Sequence, residues 1–441
     1  MKKILGFLLV AVFCAMLVFS GTGCKAKAVE ETAAATAAET EATVEETIAE
    51  DMGSLRFLSY PWFALSEDAL AKFTEKTGIE VIIEVLGYEE LNTKVATSSA
   101  AGVAPADVFS TYIVPLAAHV AAGFVQPLDE FITSEMEEDI LGMDVFKFDG
   151  KQMGVPTYYD ITGMVYNTEM LESAGIDKVP ETLDELVEAC QKIKDAGVSE
   201  YPLIMPLAAQ AGTASRWQQL SLAYGEPLFD DDFQPLFVRE GSSGYKALQL
   251  MVDYLGTLVD PASVDFDTVM NHDQLFSGDG CFIFSSPGLL VEADNEEISN
   301  VVGKTAITLM PGTTEQRSAA LDFYLDGFAV SSLSDNLESA VKFIEWYNTA
   351  EAAELAYNEL GILPSRKSLL RKFIDEGITA GGEFIFEQAE YGQPVFPAGI
   401  PPWFEEWETD VAVQVNQVAR GNITIMDALN NIANKALELQ E

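Results

Sequence analysis

Short apolar runs alternate with amphipathic stretches along most of this chain. Leu55–Leu58 and Ile79–Val85 are two such runs. Between them SEDALAKFTEKTG keeps helical spacing, with Ser66 as its N-cap and Gly78 as its stop. The segment EELNTKVATSSAAG predicts the next helix, and Ala106–Phe109 a third strand. Ser110-Thr111-Tyr112 then opens a further helical stretch that ends near Gly123. Strands alternating with helices predict a mostly parallel sheet covered on both faces. Ligands of such sheets bind outside the carboxyl ends of the strands. Those ends carry Tyr60, Trp62, Tyr88, Ser110, Thr111 and Tyr112.

The pattern changes at DGKQMGVPTYYDITGMVYNTEMLESAG, Asp149–Gly175. A Gly turn leads to a short strand ending at Pro156, an aromatic pair, the acid Asp160 and a second strand, Ile161–Tyr166. Proline cannot donate to a ladder, so pairing is expected to stop or shift at Pro156. The segment reads as a crossing between two lobes. Beyond it, a helix capped by Thr182, a strand at Tyr201–Met205 and helices near Ser215–Tyr224 and Ser243–Leu255 are expected. The strand CFIFSS, a turn at Pro287-Gly288 and a strand at Thr305–Leu309 come next. Leu321–Val330 reads as a strand that returns to the first lobe, and Asn336–Asn348 as a helix in which Phe343, Trp346 and Tyr347 face the core. The tail carries a Pro/aromatic loop, Pro394–Trp403, then a long helix through Ala419, a break at Gly421 and a last helix from about Ile425.

A chain of 441 residues exceeds the comfortable size of one core, so two domains are expected. Lysine and arginine total 25 against 70 acids, a net charge of −45. Such a chain repels nucleic acid and anionic lipid, and its acidity reads as a well-solvated surface. The first 23 residues read as a signal peptide: a positive start (Met1-Lys2-Lys3), an apolar Ile4–Phe19, then SGTGC. This resembles a bacterial lipoprotein signal, which implies lipidation of Cys24. Gly21 departs from the Leu usual there, and simple secretion is the alternative. Residues 24–52, rich in Ala, Thr and Glu and free of aromatics, read as a disordered acidic tether. Cys190 and Cys281 lie on a helix and a strand pattern and read as core thiols.

A set of stretches in order resembles the extracellular solute-binding proteins of ABC importers, of the family-one type that mostly carries sugars. They are FTEKTGIEV, PADV, AAGFVQPLDEF, DGKQMGVP with MVYNTEMLESAGI, VPETLDEL, FSGDGCFIF, LMPG, GFAVSSLSDNLESAVKFIEWY, GILPSR and GNITIMDALNNI. The resemblance implies a two-lobe periplasmic-binding fold (type II), each lobe a mostly parallel sheet flanked by helices. Its crossings would fall near Thr157–Ile161, Leu321–Gly327 and Leu363–Arg366. The lobes would then be residues 53–157 with 325–364, and 158–324 with 365–441. It further implies closure around a solute, delivery to membrane permease subunits, a monomer, and neither cofactor nor metal.

A sugar presents an apolar ring face and a rim of hydroxyls, which aromatic platforms and a few converging polar groups can hold. The candidates on loops and strand ends are Tyr60, Trp62, Ser110, Tyr112, Tyr158, Trp217, Tyr324 and Trp403, with Asp160 and Asp322 as hydroxyl acceptors at the crossings. Trp403 sits in a Pro-rich loop where the family places a stacking aromatic. Gly288-Leu289-Leu290 stands where the family often has another, so that platform is missing or supplied by Phe284 or Trp403. Arg366 is expected to pair with an acid. Enzyme readings find little: His119 and His272 lack metal-ligand partners at helical spacing, and no GxSxG elbow occurs. A secreted carbohydrate-active enzyme and a binder of peptides or polyamines are the alternatives.

Overall fold

The computed structural model describes residues 53–159, 161–321, 325–379 and 381–441. The strands in chain order are β1 (Ser54–Ser59), β2 (Glu80–Val85), β3 (Val108–Tyr112), the short pair β4 (Lys147–Phe148) and β5 (Lys151–Gln152), β6 (Val155–Tyr159), β7 (Gly163–Asn167), β8 (Leu203–Ile204), β9 (Phe282–Ser285), β10 (Thr305–Thr308), β11 (Ala320–Leu321), β12 (Leu325–Val330) and β13 (Gly392–Gln393). Five of them form one sheet, β2-β1-β3-β12-β6, and four form another, β10-β7-β9-β8.

The predicted caps are present. The Ser66 hydroxyl accepts from the Ala69 amide, and Gly78 ends the helix Glu67–Thr77 in the left-handed conformation, φ 72°. Thr182 and Glu185 form a capping box on the helix Leu183–Asp195. Phe57 of β1 meets Phe328 edge-on at 5.1 Å and Phe343 at 5.0 Å. Phe343, Trp346 and Tyr347 are buried in this core, as their helical spacing requires.

Two expectations about strands are corrected. β3 runs on to Tyr112 instead of stopping at Phe109, because β12 pairs along it: Phe328 faces Ser110, Gly327 faces Thr111 and Asp326 faces Tyr112. Tertiary pairing outweighs the turn preference of Ser-Thr here. The sheets are mixed, not mostly parallel. β1 is parallel to β2 and β3, but β12 runs antiparallel to β3 and β6. In the second sheet β7 is antiparallel to β9 and β10, and only β8 with β9 is parallel. Antiparallel neighbours need no crossover helix, which suits strands that enter or leave at a crossing.

Pairing does shift opposite Pro156. Gly327 faces Pro156, the next pair is Asp326 with Tyr158, and Thr157 is bulged out. A Cβ on Gly327 would lie 2.2 Å from the Val155 carbonyl oxygen. The Leu363–Arg366 segment runs alongside: the Ser365 amide donates to Thr157 O at 3.2 Å and its hydroxyl to Pro156 O at 2.8 Å. Arg366 pairs with Asp139 at 2.9 Å and Glu135 at 3.0 Å. At the Leu321–Gly327 segment β11 pairs with β13, and β12 lies in the five-stranded sheet. Cys190 and Cys281 are free, buried thiols, and burial pushes Cys281 up to about 12.

Candidate functional site

The carboxyl ends of β1 and β3 and the start of the helix Tyr88–Ala100 bring four rings together. Trp62 stacks on Tyr60 at 4.6 Å with 23° between planes. Tyr60 meets Tyr88 at 5.8 Å, and Tyr88 meets Tyr112 at 5.4 Å. Pro61 begins the 3-10 turn Pro61–Phe63 that presents Trp62, and its fixed φ suits that position. Tyr60 is fully buried and its hydroxyl donates to Asn92 Oδ1 at 3.2 Å. Trp62 keeps 36% of its surface exposed and is the open end of the ladder.

Across from the ladder lies the first turn of the helix Phe404–Ala419. The Tyr88 hydroxyl donates to Glu405 Oε1 at 2.7 Å. A phenol has one proton, so the Tyr112 hydroxyl, 2.8 Å from that of Tyr88, is the donor in their contact. Burial raises the Glu405 carboxyl above its ordinary value and Glu89 adds to this, while the Tyr88 bond opposes it. Burial also raises all three tyrosines, and Glu405 raises Tyr88 further.

Trp403 stands just before this turn, edge-on to Phe396 at 5.5 Å and Phe233 at 5.9 Å. It borders a groove of about 890 Å³. Ile113, Lys147 and Phe148 line one wall, and Phe233, Phe396 and Trp403 line the other. The opposite rim includes the Asp149-Gly150 turn between β4 and β5, where φ of 50° and 75° suits a two-residue hairpin. Another groove, about 620 Å³, is lined by Tyr201, Met270 and Asp279 and by none of the candidate residues.

The other candidates are placed apart. Ser110 is buried within β3, and its hydroxyl has no hydrogen-bond partner among the described residues. Tyr158 is half-buried against Phe63 at the crossing. Trp217 is corrected: it is 0% exposed, its indole donates to Gly244 O at 2.9 Å, and Phe237 and Trp407 pack on it. No face remains for a solute, because the expected loop before it is the first turn of the helix Ala211–Ala223, which packs against the helices Ser243–Asp253 and Phe404–Ala419. Phe284 is likewise buried, beneath the Arg216 guanidinium at 5.2 Å. Asp160, Asp322, Tyr324 and Cys24 lie outside the described residues. Tyr88 is a strand-end residue left out of the predicted site, and Glu405 lies beyond the expected set altogether. Its one sequence signal, an acid in the first turn of a helix, is shared with Glu406, which merely pairs with Lys435 at the surface. His119 is buried, and this lowers it to about 4. Among the described residues no group of His, Cys, Asp and Glu could hold a metal ion, and no helix is long and apolar enough to cross a membrane.

Two sheets joined by paired crossings, with rings and a carboxylate meeting at the seam, define a two-lobe binding protein. The chain belongs to the bacterial extracellular solute-binding protein family, which matches residues 64–354. It is 26% identical over 310 residues to a probable amino-acid ABC transporter periplasmic-binding protein of Sinorhizobium fredii, covering 68% of this chain and 69% of that one. A putrescine-binding periplasmic protein of Pseudomonas aeruginosa is 28% identical over 144 residues, 31% of this chain and 38% of that one. Among solved structures, the maltose-bound MalE3 of T. maritima superposes with a TM-score of 0.74 at 21% identity, covering 88% of this chain and all of that one. A ribitol complex of an ABC solute-binding protein from Agrobacterium radiobacter gives 0.75 at 21% identity, covering 89% and 100%.

Proposed function

We propose that this protein captures a carbohydrate between its lobes and delivers it to the permease of an ABC importer. The ring ladder supports this reading most directly. Trp62 offers a stacking face backed by Tyr60, and Glu405, joined to the same ladder through Tyr88, supplies a polar partner. Structural neighbours that hold maltose and ribitol agree with it. In this reading the lobes are residues 53–157 with 325–364 and 158–324 with 365–441. The protein acts as a monomer without catalysis, anchored to the membrane at the cell surface or in the periplasm through lipidated Cys24 and the tether of residues 24–52. Calorimetric titration with maltose, ribitol, tagatose and mannitol tests the solute class. Heat with at least one is expected. Silence with all four, but heat with putrescine or an amino acid, overturns it. Mass spectrometry of the mature amino terminus checks the lipid on Cys24.

One observation favours a second reading, a cationic solute. Glu405 is joined to the ring ladder through Tyr88, and Glu89 adds a second negative charge that acts on it. Rings and carboxylates together suit an ammonium group, and one relative is a putrescine-binding periplasmic protein.

A further inference from the structure

The first turn of the helix Phe404–Ala419 carries two glutamates with different surroundings. Glu406 is exposed and bonded to Lys435. Glu405 is turned into the seam and partly buried, and among the described residues the only hydrogen-bond partner of its carboxylate is the Tyr88 hydroxyl. Among the described residues, the charged groups whose fields reach this ladder are acids. Glu89 comes from the helix that begins at Tyr88, and Glu408 lies one turn along from Glu405, beside Tyr112. Asp326 of β12 faces the same ladder through Tyr60. A carboxylate that gives up water needs donors in return, and a single phenol supplies one. A carboxylate has about four acceptor positions, so Glu405 retains unused capacity, in a setting that repels any further negative charge.

We propose that Glu405 is the specificity-determining acceptor of the seam, that donor groups of the solute bond to it, and that the Tyr88 hydroxyl stands in for them while the protein is empty. The inference rests on the seam being the solute site. The chemistry it selects is a set of convergent donors, either the adjacent hydroxyls of a neutral sugar or polyol or an organic ammonium. A solute that presents a carboxylate or phosphate there is refused by Glu405, Glu89 and Glu408. Tyr88 relays through Tyr112 to β3, so the stand-in contact also ties the Tyr88 side of the seam to the Phe404 helix before any solute arrives.

The test compares wild type with E405Q and Y88F, using maltose, ribitol and putrescine as separate probes. Glutamine keeps the shape but removes the charge and half the acceptor capacity. For whichever probe binds wild type, E405Q should weaken binding by about ten-fold or more, the loss expected for a hydrogen bond to a charged group. Y88F removes the competing bond to Glu405, along with the acceptor of the Tyr112 hydroxyl, so binding should tighten by about three-fold as opening the site becomes easier. Tightest binding of putrescine assigns an ammonium, and tightest binding of maltose or ribitol assigns hydroxyls. An E405Q protein within about two-fold of wild type overturns the proposal, as does a Y88F protein weakened as much as E405Q. If no probe binds wild type, the solute class fails but the stand-in contact is still testable. Small-angle scattering should then show a larger radius of gyration for empty Y88F than for empty wild type. Equal radii overturn the stand-in role.

Discussion

Trp62 lies in the turn just after β1 and Trp217 inside the helix that follows β8, and they end in opposite states. Trp62 rests on one ring, Tyr60, and keeps a third of its surface open. Trp217 lies inside a cluster with Phe237 and Trp407, and its indole N–H is bound to a backbone carbonyl. The difference lies in the chain just beyond each strand. After β1, Pro61 imposes a tight turn that ends within three residues and leaves Trp62 partly exposed. After β8, the chain enters the helix Ala211–Ala223, which is buried along most of its length beneath the helices Ser243–Asp253 and Phe404–Ala419. An aromatic is exposed when its own turn holds it out of the packing. Residue type does not decide this.

The widest separation between the two regions should appear in stability. Trp217→Ala deletes a fully buried ring and strands the Gly244 carbonyl, at a cost of about 3–5 kcal/mol. Urea unfolding measures it, and the affinity of the protein that remains folded should not change. A loss below about 1 kcal/mol would show that the packing around Trp217 is loose. At the crossing, Gly327→Ala forces a Cβ to within 2.2 Å of a backbone oxygen. Backbone has to move, so about 1–3 kcal/mol of stability should be lost. Binding should weaken as well, because the bulge beside Pro156 sets how the crossing strands pass. Trp62→Ala should do the reverse of Trp217→Ala. Solute binding falls by about 1–3 kcal/mol, by analogy with a base stacked on a ring, while the urea midpoint barely moves. Unchanged affinity would remove Trp62 from the site and leave the two tryptophans alike in function.

Much of the fold is legible from local chemistry. Ser66 and Gly78 bound their helix, Thr182 caps the next lobe's, and Pro156 marks the register shift. These signals act within a few residues. What stays hidden depends on partners distant in sequence. The polar end of β3 is a strand only because β12, more than two hundred residues later, pairs with it. The antiparallel pairings of β7 have the same origin. The helix Ala350–Leu360 has Thr349 as a cap and an Ala-rich interior, yet it reads as featureless until it packs on its neighbour. In the site, Tyr60, Trp62 and Tyr112 could be found as strand-end aromatics. Glu405 could not: nothing separates it from Glu406 until the helix is placed and one of the two faces Tyr88 while the other faces Lys435.

The smallest effect separates two carboxylates by the sign of their pH dependence. Glu405 is raised by burial, only partly offset by the Tyr88 bond. Burial alone would raise Asp139 too, but the Ser368 hydroxyl and amide and the Arg366 guanidinium outweigh it and hold Asp139 below its ordinary value. Folded protein therefore keeps the Glu405 proton to higher pH than the unfolded chain does. Its contribution to stability is fully present at low pH and declines as pH rises through the ordinary carboxylate range to the raised value. For Asp139 the folded state gives up its proton first. Its contribution is present above the ordinary value and is lost as pH falls through the lowered one. The melting temperature of wild type minus that of E405Q should therefore shrink from about pH 3 to about pH 7, while the difference for D139N should grow over the same interval. Two differences moving in the same direction would mean that Glu405 is as well served by its neighbours as Asp139, and that the seam holds no acceptor waiting for a solute.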